Sequence, residues 1–463
     1  MYWVFQHPGY ESYSGEEWKN NLVKGGLLYF IQAIYHPHCE ETYKKFYMNI
    51  KIKHSRKSLV LFAIVICVFF LVKCTENGES VTVESAQINF EEFAGSAKCA
   101  GCHKDIYNSH VQTAHYLTAK PAEESFIKGS FEKGKNTYAY TPSILLSMEK
   151  RDSGLYQVAY FNGEEKKAMR FDMVIGSGVL GQSFLSWRNN RLYQLPITYF
   201  TAANQWSNSP GFPSRKVMID KPVTSRCLEC HITFAVPLSG PPLEPMEFDH
   251  QKIIYGVDCE KCHGPAVKHI DFQTKNPGEK TAKFIVNPSQ LSRQLQLDNC
   301  ALCHSGNIEK TKPSFQFTSG KSLGDYFKDD TLSEETVMSG NVDVHGNQYG
   351  LMAASKCFLK TTTLTCNSCH NSHENERGKT ALFSSRCMTC HNISETNFKT
   401  PSHRQVKNIE INCIDCHMPA QPSKSIAVDI QGEEVPRVSL IRSHLIRIYP
   451  DETKKYLNLK LEK

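Results

Sequence analysis

Between residues 126 and 220 the pattern of apolar and polar positions has a strand period. Tyr156, Val158 and Tyr160 alternate with Gln157 and Ala159, the pattern of a half-buried strand. Residues 144–150 and 155–161 flank Asp152, Ser153 and Gly154, and Asn162-Gly163 is a strong hairpin turn leading into 168–175. Residues 182–187 and 192–200 flank Asn189-Asn190. A small antiparallel β-meander is therefore expected here, its aromatic residues serving as packing. Elsewhere the pattern is helical but broken. Residues 104–118 and 289–303 suggest helices, separated by Gly-, Pro- and Asn-rich loops. On a helix over 104–118, His110 and His115 would point about 140° apart, so both could not face one centre.

One apolar run is different in kind. Residues 59–72 are uninterruptedly apolar, too short to span a bilayer comfortably, and Lys51, Lys53, Arg56 and Lys57 precede them. With Met48 as the start, residues 48–73 form an export signal. Cys74 follows directly, as in a bacterial lipoprotein, although Lys73 replaces the small residue expected before it. Lipidation at Cys74, an uncleaved anchor and ordinary cleavage all stay open. Residues 1–47 are expected to be an upstream over-extension absent from the mature protein, and 74–95 a polar linker. The place expected for the chain is the periplasm or cell envelope of a Gram-negative bacterium, as a membrane-anchored lipoprotein.

The chemistry lies in the cysteines. Of eighteen, fourteen fall in seven C-x-x-C-H boxes. These are Cys99, Cys102 and His103; Cys227, Cys230 and His231; Cys259, Cys262 and His263; Cys300, Cys303 and His304; Cys366, Cys369 and His370; Cys387, Cys390 and His391; and Cys413, Cys416 and His417. The residue frequencies would give about 0.03 such boxes by chance. Two thiols three residues apart can form thioethers to the vinyl edge of a porphyrin, and the next histidine reaches the iron as proximal ligand. Zinc ribbons also use paired cysteines, but zinc has no need of a histidine after every pair. Seven covalently bound c-type haems are expected, with the porphyrins supplying much of the interior of a chain that is only 40% hydrophobic. Cys357 is expected to be a buried inert thiol.

Each iron needs a second axial partner unless it binds a substrate or gas. Outside the boxes, residues 74–463 contain eight histidines for seven irons. His115, His250, His269, His345, His373, His403 and His444 are the distal candidates, and His110 is set aside. His269 and His373 follow proximal histidines so closely that they should cap a neighbouring haem, not their own. Methionine is a further possible ligand, but Met418, directly after His417, is assigned to packing.

The division expected is a first haem segment at 96–125, the β-rich insert at 126–220, a six-haem region at 221–420 and a tail at 421–463 holding His444. The fold class expected is mainly α and irregular around a haem-dominated core, with the β-meander inserted. The net charge of +6 owes much to the basic residues around the apolar run, and haem propionates would turn the holoprotein negative. Nucleic acid is therefore no expected partner.

Several stretches resemble the multihaem relatives of cytochrome c-554. They are the first box with Thr113-Ala114-His115, Gly256-Val257-Asp258 leading into the third box with His269 beyond, and Asp343-Val344-His345-Gly346-Asn347-Gln348. The fifth box with His373, and His403 leading into the last box with Met418-Pro419, complete the set. The resemblance implies an electron-transfer protein with haems in close parallel and perpendicular pairs. Relatives also include nitrite reductases and hydroxylamine oxidoreductases. The nitrite reductases mark the catalytic haem with C-x-x-C-K, whereas all seven boxes here end in histidine. Electron transfer through mostly bis-histidine haems is favoured, with quinol-linked or envelope cytochromes as partners. An oxidoreductase acting on a small nitrogen or sulfur compound at one five-coordinate haem is the alternative, and no catalytic residue is named for it.

Overall fold

The computed structural model describes residues 88–306, 308–328, 342–391, 403 and 412–461. The export signal, Cys74 and most of the linker lie outside them.

The first strand, β1 (Ala119–Pro121), follows the first box. Next come β2 (Thr137–Thr141), β3 (Ile144–Arg151), β4 (Gly154–Phe161) and β5 (Glu164–Arg170), paired in sequence order as a four-stranded antiparallel meander. Asn162 and Gly163 both take positive φ, 50° and 81°, which is what the tight turn between β4 and β5 requires. β6 (Met173–Ile175), β7 (Gly181–Arg188), β8 (Arg191–Gln194), β9 (Ile197–Phe200), β10 (Gln205–Asn208) and β11 (Lys221–Pro222) continue into a second sheet. β12 (Ile232–Ser239) and β13 (Glu247–Tyr255) complete its nine strands with β1, in the order β1-β6-β7-β8-β13-β12, with β9, β10 and β11 attached alongside. Near the C-terminus, β14 (Ala420–Val428) and β15 (Arg437–Arg442) form a two-stranded ribbon.

The expectation of a mainly α and irregular fold is thus overturned. Three antiparallel sheets with fifteen strands dominate the described residues. β12 and β13 extend the β-structure well past residue 220, and β12 starts immediately after His231, where Ile232-Thr233-Phe234 supplies β-branched and aromatic residues. The helices stay short because a haem box needs only one turn. His103, His370, His391 and His417 each donate a backbone N–H to the first cysteine of their own box, at 2.8–3.1 Å. Nor does a helix run over 104–118. It ends at His110, and His115 stands in the following turn.

Two apolar clusters fill the sheets. Leu146, Met148, Phe171, Phe184, Ile197 and Trp206 lie between the meander and the larger sheet, and Met173, Leu192, Phe234 and Phe248 form the second cluster. Both faces of β4 are covered, since the adjacent Gln157 and Val158, on opposite faces, are both fully buried. Leu155, Gln157 and Ala159 pair across from Lys150, Met148 and Leu146, on the side of the first cluster. Gln157 is fully buried because its amide replaces a missing ladder bond: it donates to the Ile197 carbonyl at 2.7 Å and accepts the Ile197 N–H at 3.0 Å. Tyr160, on the other face, donates to Glu149 at 2.8 Å.

Candidate haem-binding site

The first five boxes converge on one cavity of about 1440 Å³. Ordinary small-molecule pockets measure about 300–1,000 Å³. Its walls carry box cysteines Cys99, Cys102, Cys230, Cys259, Cys262, Cys300 and Cys303, with His103, His231, His263, His304 and His370. Four pairs of thiols from different boxes come within hydrogen-bonding reach: Cys99 with Cys259, Cys230 with Cys303, Cys300 with Cys366, and Cys387 with Cys413. Two of these contacts join boxes apart in sequence, the first with the third and the second with the fourth, and two join consecutive boxes. Glu260 fixes one such junction. Its buried carboxylate accepts the N–H groups of Ala94, Gly95 and Ala266, each at 2.8 Å, tying the segment before the first box to the third.

Histidine geometry is the more specific signal. His263 faces His373 with ring centroids 6.0 Å apart and planes 19° apart. His370 faces His444 at 6.2 Å and 28°. His304 and His115 are 6.3 Å apart, and His417 and His403 6.1 Å. Two metal–imidazole bonds of about 2 Å plus half of each ring span about 6 Å, so one iron fits between the members of each pair. In each of these four pairs a box histidine meets one from outside the boxes, whereas His110 and His373, 6.2 Å apart, both lie outside them.

The other ring nitrogen is occupied where the contacts show it. Nδ1 of His263 faces the Val286 carbonyl at 2.9 Å, that of His417 the Arg447 carbonyl at 3.0 Å, and that of His304 the Gln348 side chain at 3.0 Å. His231 Nδ1 meets Thr118 Oγ1 at 2.9 Å. Such partners orient the ring and leave Nε2 for a metal. Burial, helped by neighbouring imidazoles, pushes His115 and His444 down to about 4. Burial also takes His231 to about 3 and His345 to about 4. These rings are neutral at pH 7, as metal ligation demands. Among the described residues no three Cys, His, Asp or Glu side chains converge as a metal cage, so the zinc-ribbon arrangement is not formed there. The residues fit a c-type haem: two thiols to attach the porphyrin, and a neutral box imidazole with a second imidazole about 6 Å away to ligate the iron.

The remaining candidates are placed as follows. His345 lines the cavity with His231 and acts on it electrostatically. His269 also lines it, its Nδ1 2.9 Å from the Lys283 carbonyl. His250 goes elsewhere: it stacks on Trp187 at 3.8 Å on the nine-stranded sheet, and its Nε2 lies 2.8 Å from the Asn189 carbonyl. His391 and Cys390 are exposed, and Cys357 is half-buried. Sequence reasoning passed over His110, which is buried on the cavity wall. Its ring nitrogens lie 3.2 Å from the Val257 carbonyl and 3.4 Å from that of Ser372, so it bridges the approaches to Cys259 and His373. It also missed Gln348 as the partner of His304, although Gln348 stands three residues after His345.

Residues 199–264, which include the second and third boxes, match the family of cytochrome c554 and c-prime. Among solved structures, the outer cell wall cytochrome OcwA is similar to the chain at a TM-score of 0.47 and 18% identity, covering 79% of this chain and 82% of that one. No curated protein matches the chain. The boxes and the family match support a c-type cytochrome that carries covalent haem with iron.

Proposed function

We propose that the chain is a heptahaem c-type cytochrome that carries electrons in the cell envelope. One observation supports this above the others: four box histidines each face a second imidazole about 6 Å away. Axial sites closed on both sides suit electron transfer and leave a substrate no place to bind. When bound, the haems supply one-electron redox centres close enough for electrons to pass between them. In the four pairs the chain's own residues would hold the iron from two sides with neutral imidazoles, and His231, His263, His304 and His417 are oriented through Nδ1. His269 and His345 are proposed as distal ligands on the strength of their places on the cavity wall. His250, stacked on Trp187, is read as packing.

Export through the 48–73 segment, lipidation at Cys74 and contact with quinol-linked or envelope cytochromes belong to the same reading. Electron paramagnetic resonance of the purified protein tests it. An all-low-spin spectrum supports a carrier. A high-spin haem that binds cyanide or nitric oxide would instead favour the oxidoreductase.

A further inference from the structure

The second, third and fourth boxes meet at a buried charge cluster that haem ligation does not use. The Glu229 side chain, between Cys227 and Cys230, is 1% exposed, and its Oε2 accepts from Arg226 at 3.1 Å and from Lys310 at 2.8 Å. Its Oε1 accepts the Phe315 N–H at 2.8 Å. Arg226 is nearly as buried and donates twice more, to the carbonyl of Leu302, at 3.2 and 3.1 Å. Leu302 immediately precedes Cys303, and the Cys230 sulfur lies 3.9 Å from the same carbonyl. Lys261, inside the third box, adds a third cation. Its charge acts on Glu229, Cys230 and Cys303. The Phe327 ring covers the cluster, 4.2 Å from Lys310 Nζ and 5.0 Å from Arg226 Cζ.

Arg226, Lys261 and Lys310 outnumber the buried Glu229 and the more distant Glu244, whose charge also acts on Lys310, and so leave the cluster net positive, which a clamp made only for stability would not need. Buried charges are weakly screened, and a nearby cation favours the reduced form of a redox centre, which carries one negative charge more. We infer that Arg226, Lys261, Lys310 and Glu229 form an electrostatic tuning site that raises the reduction potential of the haem groups attached through Cys227 and Cys230 and through Cys300 and Cys303. This rests on the reading that both boxes carry haem.

The test uses the full mature chain with its haems, in redox titrations followed by visible absorption and by electron paramagnetic resonance. Lys310→Met and Lys261→Met each remove a positive charge, and Glu229→Gln removes the negative one. The expected result is a fall in the midpoints of the two components that belong to these haems in both lysine variants and a rise of the same components in Glu229→Gln, the others staying in place. Shifts of one sign in all three variants, or none, would overturn the inference. Lys261 is only half-buried, so its variant keeps the test open should Lys310→Met fail to fold. A haemochrome count on the wild type is a separate check, since missing haem at these boxes would sink the cofactor reading and not the electrostatics.

Discussion

His373 lies three residues after the fifth box, yet its ring stands 6.0 Å from His263 of the third box and almost parallel to it. The ligand shared across two boxes makes neighbouring haems depend on each other. Replacing His373 with alanine should convert one haem from low to high spin and leave the others low spin. Electron paramagnetic resonance and the near-infrared charge-transfer band report the change, and an unaltered spectrum would remove His373 from the ligand set.

A contrast between two histidines separates ligation from packing. His444→Ala should produce one high-spin haem, since His444 faces His370 at 6.2 Å. His250→Ala, on the Trp187 surface, should leave every haem low spin. The reverse pattern would show that these two rings have been assigned the wrong way round.

Glu260 accepts three backbone N–H groups in a buried setting. In Glu260→Gln, one amide oxygen must replace two charged acceptors, and the amide NH₂ faces donors. Hydrogen bonds to a charged group are each worth about 1.5–3 kcal/mol, so the variant should lose on the order of 3 kcal/mol. Denaturant titration of the haem-loaded protein measures this, and a midpoint unchanged from wild type would contradict the assignment.

Arg386 holds the Glu376 carboxyl down, from 4.5 to about 2, through a bidentate pair in which one contact measures 2.8 Å. A depressed carboxylate stabilises the fold above its unfolded value and loses that contribution as pH falls through its folded value. The stability gap between wild type and Glu376→Gln should therefore be full at pH 7, shrink below about pH 4.5 and close near pH 2. Acid unfolding curves of the two proteins give the answer, and a gap that persists at pH 2 would refute it.

The boxes and the turns between strands were legible in the sequence for the same reason. A haem box is a covalent requirement within five residues, so nothing distant can disguise it. The turns at Asn162-Gly163 and Asn189-Asn190 are likewise local, and both stand between paired strands. The fold class was misjudged because the boxes drew attention to one-turn helices, whereas the apolar run after His231 builds β12. The burial of Gln157 beside the equally buried Val158 had no local signal, because its partner, Ile197, lies 40 positions away. Long-range pairing of this kind has no local pattern. His250 and His110 were indistinguishable by counting, because a histidine count says nothing about which ring reaches the cavity.

The Glu260 junction bears on how the chain assembles. Its carboxylate meets the Ala94 N–H across 166 positions of sequence, and the thiol of Cys99 meets that of Cys259 over a similar span. Contacts so remote in sequence close late, because the intervening chain must first be made and ordered. A C-x-x-C-H box, by contrast, is complete as soon as five residues have emerged. Attachment of the first haem can therefore run ahead of the tertiary contacts that enclose it, and the chain would condense around groups it already carries.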